Sequence, residues 1–277
     1  MKHSAKKPTI LSRSIAFALS LPIVASTSQQ ASAATYFWDT TTTGSWNTLT
    51  NWWTTAGGTT NPTVIPSAAD TLTFNGTAVN GATISQLDAN YSITGMVFNN
   101  TGTTLIDSNS ATTRVLTLGT GGITVASGAG AVTIGDATNV TNITLGATQT
   151  WTNNSTTNAL TVVNGLTMAA NPLIFAGAGA FNLNGVISGT VATGTTALTI
   201  GTGAGSGTTV TLGNTANSFT GNIAVNGGTL ISAYASAAGA TSFLGGQIGT
   251  VYRTISLTNG GTYHNTATLK ECLNKAA

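Results

Sequence analysis

The chain has 277 residues, and 5% of them are Asp, Glu, Lys or Arg, against about 25% in an ordinary soluble domain. Few groups are left for acid-base chemistry, while 41% apolar residues and 34 Gly are incompatible with a charged disordered tail, which needs low hydrophobicity and high net charge. The formal charge of +2 depends on Lys2, Lys6, Lys7 and Arg13; without them Arg114, Arg253, Lys270 and Lys275 face Asp39, Asp70, Asp88, Asp107, Asp136 and Glu271, so no basic patch exists to neutralise the phosphates of a nucleic acid.

Residues 1–33 have the layout of a secretory signal. Positive charge up to Arg13 precedes an apolar run over 15–25, and a polar stretch then ends in small residues at 31–33, which places cleavage between Ala33 and Ala34. The apolar run is broken by Pro22 and is too short to span about 30 Å of hydrocarbon, and no later segment reaches eighteen consecutive apolar residues, so no transmembrane helix is expected in the mature chain. Export to the cell surface, the outer membrane or the extracellular space follows. Residues 34–75 read as an N-terminal cap and first coil, dense in aromatics: Tyr36, Phe37, Trp38, Trp46, Trp52 and Trp53. Two readings stand for these tryptophans. They are either a platform for glycan, since exposed rings bind apolar ligand faces, or the cover that the open end of a solenoid requires.

From 71 onward, apolar residues alternate with polar ones in short runs at 71–74, 92–98, 115–118, 123–125, 132–134, 143–145, 160–162, 173–175, 181–183, 198–200, 210–212, 223–225, 230–231 and 255–257. A period of two predicts strands. Clusters of Gly, Asn, Ala and Ser between them supply turns and corners. Strand starts recur every seven to twelve residues or so, a spacing shared by solenoids, sandwiches and barrels. Two features favour the solenoid. Residues 137–252 contain no charged side chain, and stacked coils put like residues about 4.8 Å apart, where ladders of Thr or Asn share hydrogen bonds and ladders of charge repel. Only 6% of residues are aromatic, which suits a narrow coil interior filled by Val, Ile, Leu and Ala. Coils of about twenty to twenty-four residues would give roughly ten to twelve coils over 76–262 and the cap, a rod on the order of 50 Å long.

The stretch 213–233 resembles the autotransporter-associated β-strand repeat, whose pattern is matched by Asn217, Phe219, Thr220, Gly221, Val225, Gly228, Thr229 and Leu230. The segments 37–53 and 66–74 also look like the opening common on such exported proteins, and 145–151 and 185–189 read as degenerate copies. The resemblance covers most of residues 36–262. It implies a right-handed parallel β-helix like an autotransporter passenger, handled by outer-membrane export machinery and displayed on or released from a Gram-negative-type surface. It implies no particular activity, because the family is defined by a scaffold. Full members continue into a membrane barrel. Here the residues 263–277 form an atypical, charged tail, and two readings stay open: an export domain absent by design, or a truncated frame.

Chemistry has little to work with. His264 is the one His after the signal and Cys272 the one Cys, so neither a Ser-His-Asp triad nor a structural zinc site is expected, and Cys272 has no partner within the chain. No phosphate-binding Gly loop with a Lys and no calcium nonapeptide repeat occurs, and no cofactor is implied. One constellation stands out: Asp70, Asp88 and Asp107 follow one another at nearly equal intervals, near a coil period, so stacking would converge three carboxylates as a polysaccharide lyase or glycosidase needs. Separate corner positions, where Asp bonds local backbone, would leave a scaffold. The expectation is an exported, adhesin-like structural protein without a catalytic site, meeting a surface glycan or a host or matrix surface; the alternatives are a carbohydrate-active β-helix enzyme and a non-functional remnant.

Overall fold

The structure is a computed structural model that describes residues 1, 33–75, 81–232, 244–245 and 253–266. The expected signal, apart from its ends, as well as Cys272 and the charged residues of the tail, lie outside the described residues. What is described is a nearly all-β chain, with one short 3-10 turn at Leu49–Asn51 and parallel pairing in every ladder except one.

The chain is a parallel β-helix with three ladders. The first stacks nine rungs, starting with Thr35–Trp38 and Thr71–Phe74 and ending with Asn222–Asn226 and Ile255–Thr258. A second stacks another nine, from Thr43–Ser45 and Thr83–Leu87 to Thr229–Ser232 and Thr262–Asn265. The third is shorter: the first half of Tyr91–Phe98, the first half of Arg114–Val125, then Thr141–Leu145, Leu166–Thr167 and Ile187–Ser188. Where all three are present, each coil visits them in turn, so consecutive strands of one ladder are a whole coil apart in sequence.

Side-chain alternation fixes the register, because a slip of one residue would turn the apolar set outward. Leu72 pairs with Met96, and the column continues through Ile123, Trp151, Phe175, Ile200 and Val225, all essentially unexposed. The numbering along this column, from 72 through 96, 123, 151, 175 and 200 to 225, advances by 24 to 28 at each step. The second ladder is less even, its steps from Thr83 to Tyr263 running from 20 to 33. The coils therefore range from within the expected twenty to twenty-four residues to well above them, and each long ladder has nine rungs among the described residues. The excess lies in the polar corners, which alternation along strands does not count.

Two long strands join the third ladder to the first by bending at glycines. Arg114–Val125 pairs with Thr141–Leu145 through its first half and with Gln149–Asn153 through its second. At the bend, Gly122 has φ +59°, and a Cβ there would meet the Thr150 carbonyl oxygen at 2.2 Å. Only glycine allows both the left-handed conformation and that approach.

At the N-terminal end the pairing changes sense. Trp52–Trp53 runs antiparallel to Thr35–Trp38, and Trp38, Trp46 and Trp52 close over the apolar interior with zero exposure. The strand Thr262–Asn265 crosses the boundary expected at 262/263, so His264 belongs to the last described rung of the second ladder. Among the described residues no helix is long and apolar enough to cross a membrane.

Candidate functional site

Three of the four candidate tryptophans present no ring to solvent. The Trp38 and Trp52 centroids are 4.7 Å apart at 74°, and Trp46 meets Trp52 at 5.7 Å and 84°; these edge-to-face contacts are the geometry ring quadrupoles favour. Their indole N–H groups are all used. Trp38 donates to Thr83 Oγ1 at 2.9 Å, Trp46 to Ser85 Oγ at 2.6 Å and Trp52 to the Trp46 carbonyl at 3.1 Å. Thr83 and Ser85 are buried hydroxyls on the inner side of the next rung, positions that alternation alone would fill with apolar residues. Trp53 is the half-buried member. It hydrogen-bonds the Asp39 carboxylate, which burial raises above its ordinary range and this bond lowers in part. A sugar platform built on Trp38, Trp46 and Trp52 is excluded by their burial.

The three spaced aspartates do not converge. Asp70 is buried at the corner entering Thr71–Phe74, where it accepts hydrogen bonds from the Ala34 and Ser67 backbone N–H groups at 2.9 and 2.7 Å and from the Ser67 hydroxyl at 2.7 Å. Asp88 follows the strand Thr83–Leu87 and accepts the Tyr91 hydroxyl at 2.6 Å; burial first, then Asp88, pushes that phenol well above the ordinary tyrosine range. Asp107 lies within Thr104–Ser108, paired with Gln86 and not with Asp88. The near-periodic sequence spacing fails to stack them because one coil outruns the intervals from 70 to 88 and from 88 to 107.

The repeat-motif residues are all structural. Asn217 Oδ1 accepts the Ile187 backbone N–H at 2.7 Å, Thr220 Oγ1 donates to the Val191 carbonyl at 2.9 Å, and Thr229 Oγ1 pairs with Thr262 Oγ1 at 2.9 Å. Phe219, Val225 and Leu230 are fully buried. The Arg253 guanidinium lies 4.3 Å above the Phe219 ring and donates to the Phe219 carbonyl at 2.6 Å; burial pushes its pKa down to about 10. Gly221 has φ +95°, and Gly228 packs against Ile200 where a Cβ would come within 2.9 Å. The motif encodes how one coil binds its neighbours on both sides.

What the coils carry outward is a set of polar columns. On the third ladder Ser92, Thr117, Thr144, Thr167 and Ser188 are register partners on five consecutive rungs, each half-buried or exposed. On the second, Thr133, Thr161, Asn182 and Thr211 form a four-rung column between Leu105 and Ile231. Neighbouring hydroxyls are far enough apart to leave most of their capacity unspent: Ser188 Oγ reaches Thr167 Oγ1 at 3.4 Å. The columns are hard to find in the sequence, because their members recur at uneven intervals among many other Thr residues. His264 extends the second ladder beside Ile231 and is exposed.

Among the described residues no group of three or more His, Cys, Asp or Glu side chains is placed to hold a metal ion. Comparison with family models, with curated proteins and with solved structures finds no match to this chain.

Proposed function

We propose that the chain is an exported bacterial surface protein, an adhesin-like β-helical scaffold that engages a surface glycan or a host or matrix surface through its outward columns and has no catalytic site. The observation that carries this reading is the five-rung hydroxyl column Ser92, Thr117, Thr144, Thr167 and Ser188. Uncharged donors and acceptors repeated about every 4.8 Å suit an extended, polar, uncharged partner met by many weak contacts, each adding to the effective concentration of the next. The separation of Asp70, Asp88 and Asp107 supports a scaffold over a lyase or glycosidase built on those three carboxyl groups. The charged, apolar and small-residue order of 1–33 and the repeat resemblance at 213–233 support export through outer-membrane machinery.

Expression in a Gram-negative host, followed by fractionation, N-terminal sequencing and protease shaving of intact cells, tests the export half. The expected result is a chain beginning at Ala34 that is accessible from outside. An uncleaved chain retained in the cytoplasm would overturn it.

A further inference from the structure

The end of the second-ladder strand Thr104–Ser108 holds a carboxyl group that the fold leaves half satisfied. Asp107 is 3% exposed, and its Oδ1 is buried without a hydrogen-bond partner. Its Oδ2 accepts the Asn139 side-chain amide at 3.4 Å, and the Gln86 amide of the preceding rung also bonds the carboxyl group. Burial raises the pKa of this carboxyl group, and the two amide donors oppose the rise only in part.

A second carboxylate follows on the next coil. Ile106 pairs with Ile134, and the Gly135 N–H donates to the Ile106 carbonyl at 2.7 Å. Asn139 ties Asp136 to Asp107, its backbone N–H donating to Asp136 Oδ1 and its side-chain amide to Asp107 Oδ2 at 3.4 Å, and the Asp136 charge acts on Asp107. Asp136 Oδ1 accepts the Thr138 and Asn139 N–H groups, which fixes the side chain and leaves Oδ2 for another partner. Among the described residues, the groups that act on Asp107 are Gln86, Asn139, Asp136 and its own backbone, and none is cationic. Two carboxylates at one corner without a countercharge are costly to bury.

We propose that Asp107 and Asp136 hold a hard divalent cation of the calcium class. Asp107 Oδ1 and Asp136 Oδ2 would supply the charge, with water completing an oxygen shell. Such a shell suits calcium, which takes six to eight oxygens in flexible geometry. Asn139 is half-buried and held to Asp107 by its long amide contact alone among their side-chain atoms, so its displacement opens the way in. With only two carboxylates the expected affinity is that of extracellular modules, about 10⁻⁴–10⁻³ M. The bound ion would clamp two successive coils.

The test is calorimetric titration of the EDTA-stripped full chain with calcium chloride, with thermal unfolding followed in parallel for wild type, Asp107→Asn and Asp136→Asn. Wild type is expected to bind one ion and to gain about 3–5 °C in Tm at ten times Kd, while both variants lose at least tenfold in affinity and the Tm response with it. Because Asp136 is half-buried, its variant keeps the test valid if Asp107→Asn fails to fold. Absence of binding and of any Tm shift in folded wild type would overturn the site, as would unchanged binding in Asp136→Asn.

Discussion

Asn217 Oδ1 and the backbone N–H of Ile187, 30 residues apart in the chain, share a buried hydrogen bond of 2.7 Å. Ile187–Ser188 is the last rung of the third ladder among the described residues, so no following strand supplies the acceptor that a parallel ladder would give this N–H. The asparagine of the repeat motif replaces that strand with one side chain. Its neighbours Ser218 and Phe219 complete the substitution by donating their N–H groups to the Ile187 carbonyl at 2.9 and 3.2 Å.

Replacing Asn217 with Ala therefore strands a buried N–H. The expected loss is about 1–3 kcal/mol of stability, read as a lower midpoint in urea or thermal unfolding. Asn217→Asp at neutral pH should be worse than the amide but retain the acceptor, separating lost geometry from added buried charge.

The N-terminal tryptophans are expected to matter for stability in order of burial. Trp46→Ala removes a fully buried ring and leaves Ser85 Oγ without its donor, a loss of about 3–5 kcal/mol. Trp53→Ala, at a half-buried position, should cost clearly less. Circular dichroism melts of the two variants side by side give the ranking directly.

Gly221 is the motif position least open to substitution. With φ +95° and the Thr195 carbonyl oxygen 2.9 Å from a Cβ, Gly221→Ala combines a backbone conformation that costs an L-residue of order 1–3 kcal/mol with a close backbone contact. The variant is expected to unfold at lower temperature with the same β-rich spectrum below the transition.

Asp107 sets a pH dependence of definite sign. Burial raises its folded carboxyl above the ordinary value, Asp136 adds to the rise, and the Gln86 and Asn139 amides oppose it. A raised folded pKa means that the native state binds the proton more tightly than the unfolded chain does. Stability from this group is then present below the unfolded value of about 3.9 and is lost as pH rises through the folded one. In EDTA, wild type should lose stability as pH rises across that window, and Asp107→Asn should flatten the profile. Urea unfolding at a series of pH values checks this.

The strand positions and their inward faces were legible because alternation is local: the run at 173–175 and its partner at 198–200 each announce Leu173, Phe175, Leu198 and Ile200 as core. Coil length was not, because it is fixed by corners such as 126–131, whose Gly and Ala residues carry no periodic signal. Intervals such as 70 to 88 and 88 to 107 suggest stacking, but the register pairs Asp107 with Gln86 and not with Asp88, so the carboxyl groups fall at different places on their coils, among corners and strands. Gln86 and Asp136 could not be picked out as neighbours of Asp107, since their proximity depends on register across three coils. Thr83 and Ser85 were equally hidden, because polar residues on an inward face break the pattern that identifies the face and are accounted for only by the indole N–H groups they accept from.

The hydroxyl column is where the functional account stands most exposed. The direct measurement is binding of the exported chain to an array of glycans and matrix proteins, compared with a variant carrying Thr117→Val, Thr144→Val and Thr167→Val. Valine keeps the β-branched shape and removes only the hydroxyl, so the fold should persist by circular dichroism. Selective binding by wild type that is lost in the folded triple variant is the predicted result. Binding that is unchanged in that variant, or no binding by the folded wild-type chain, would contradict recognition through this face.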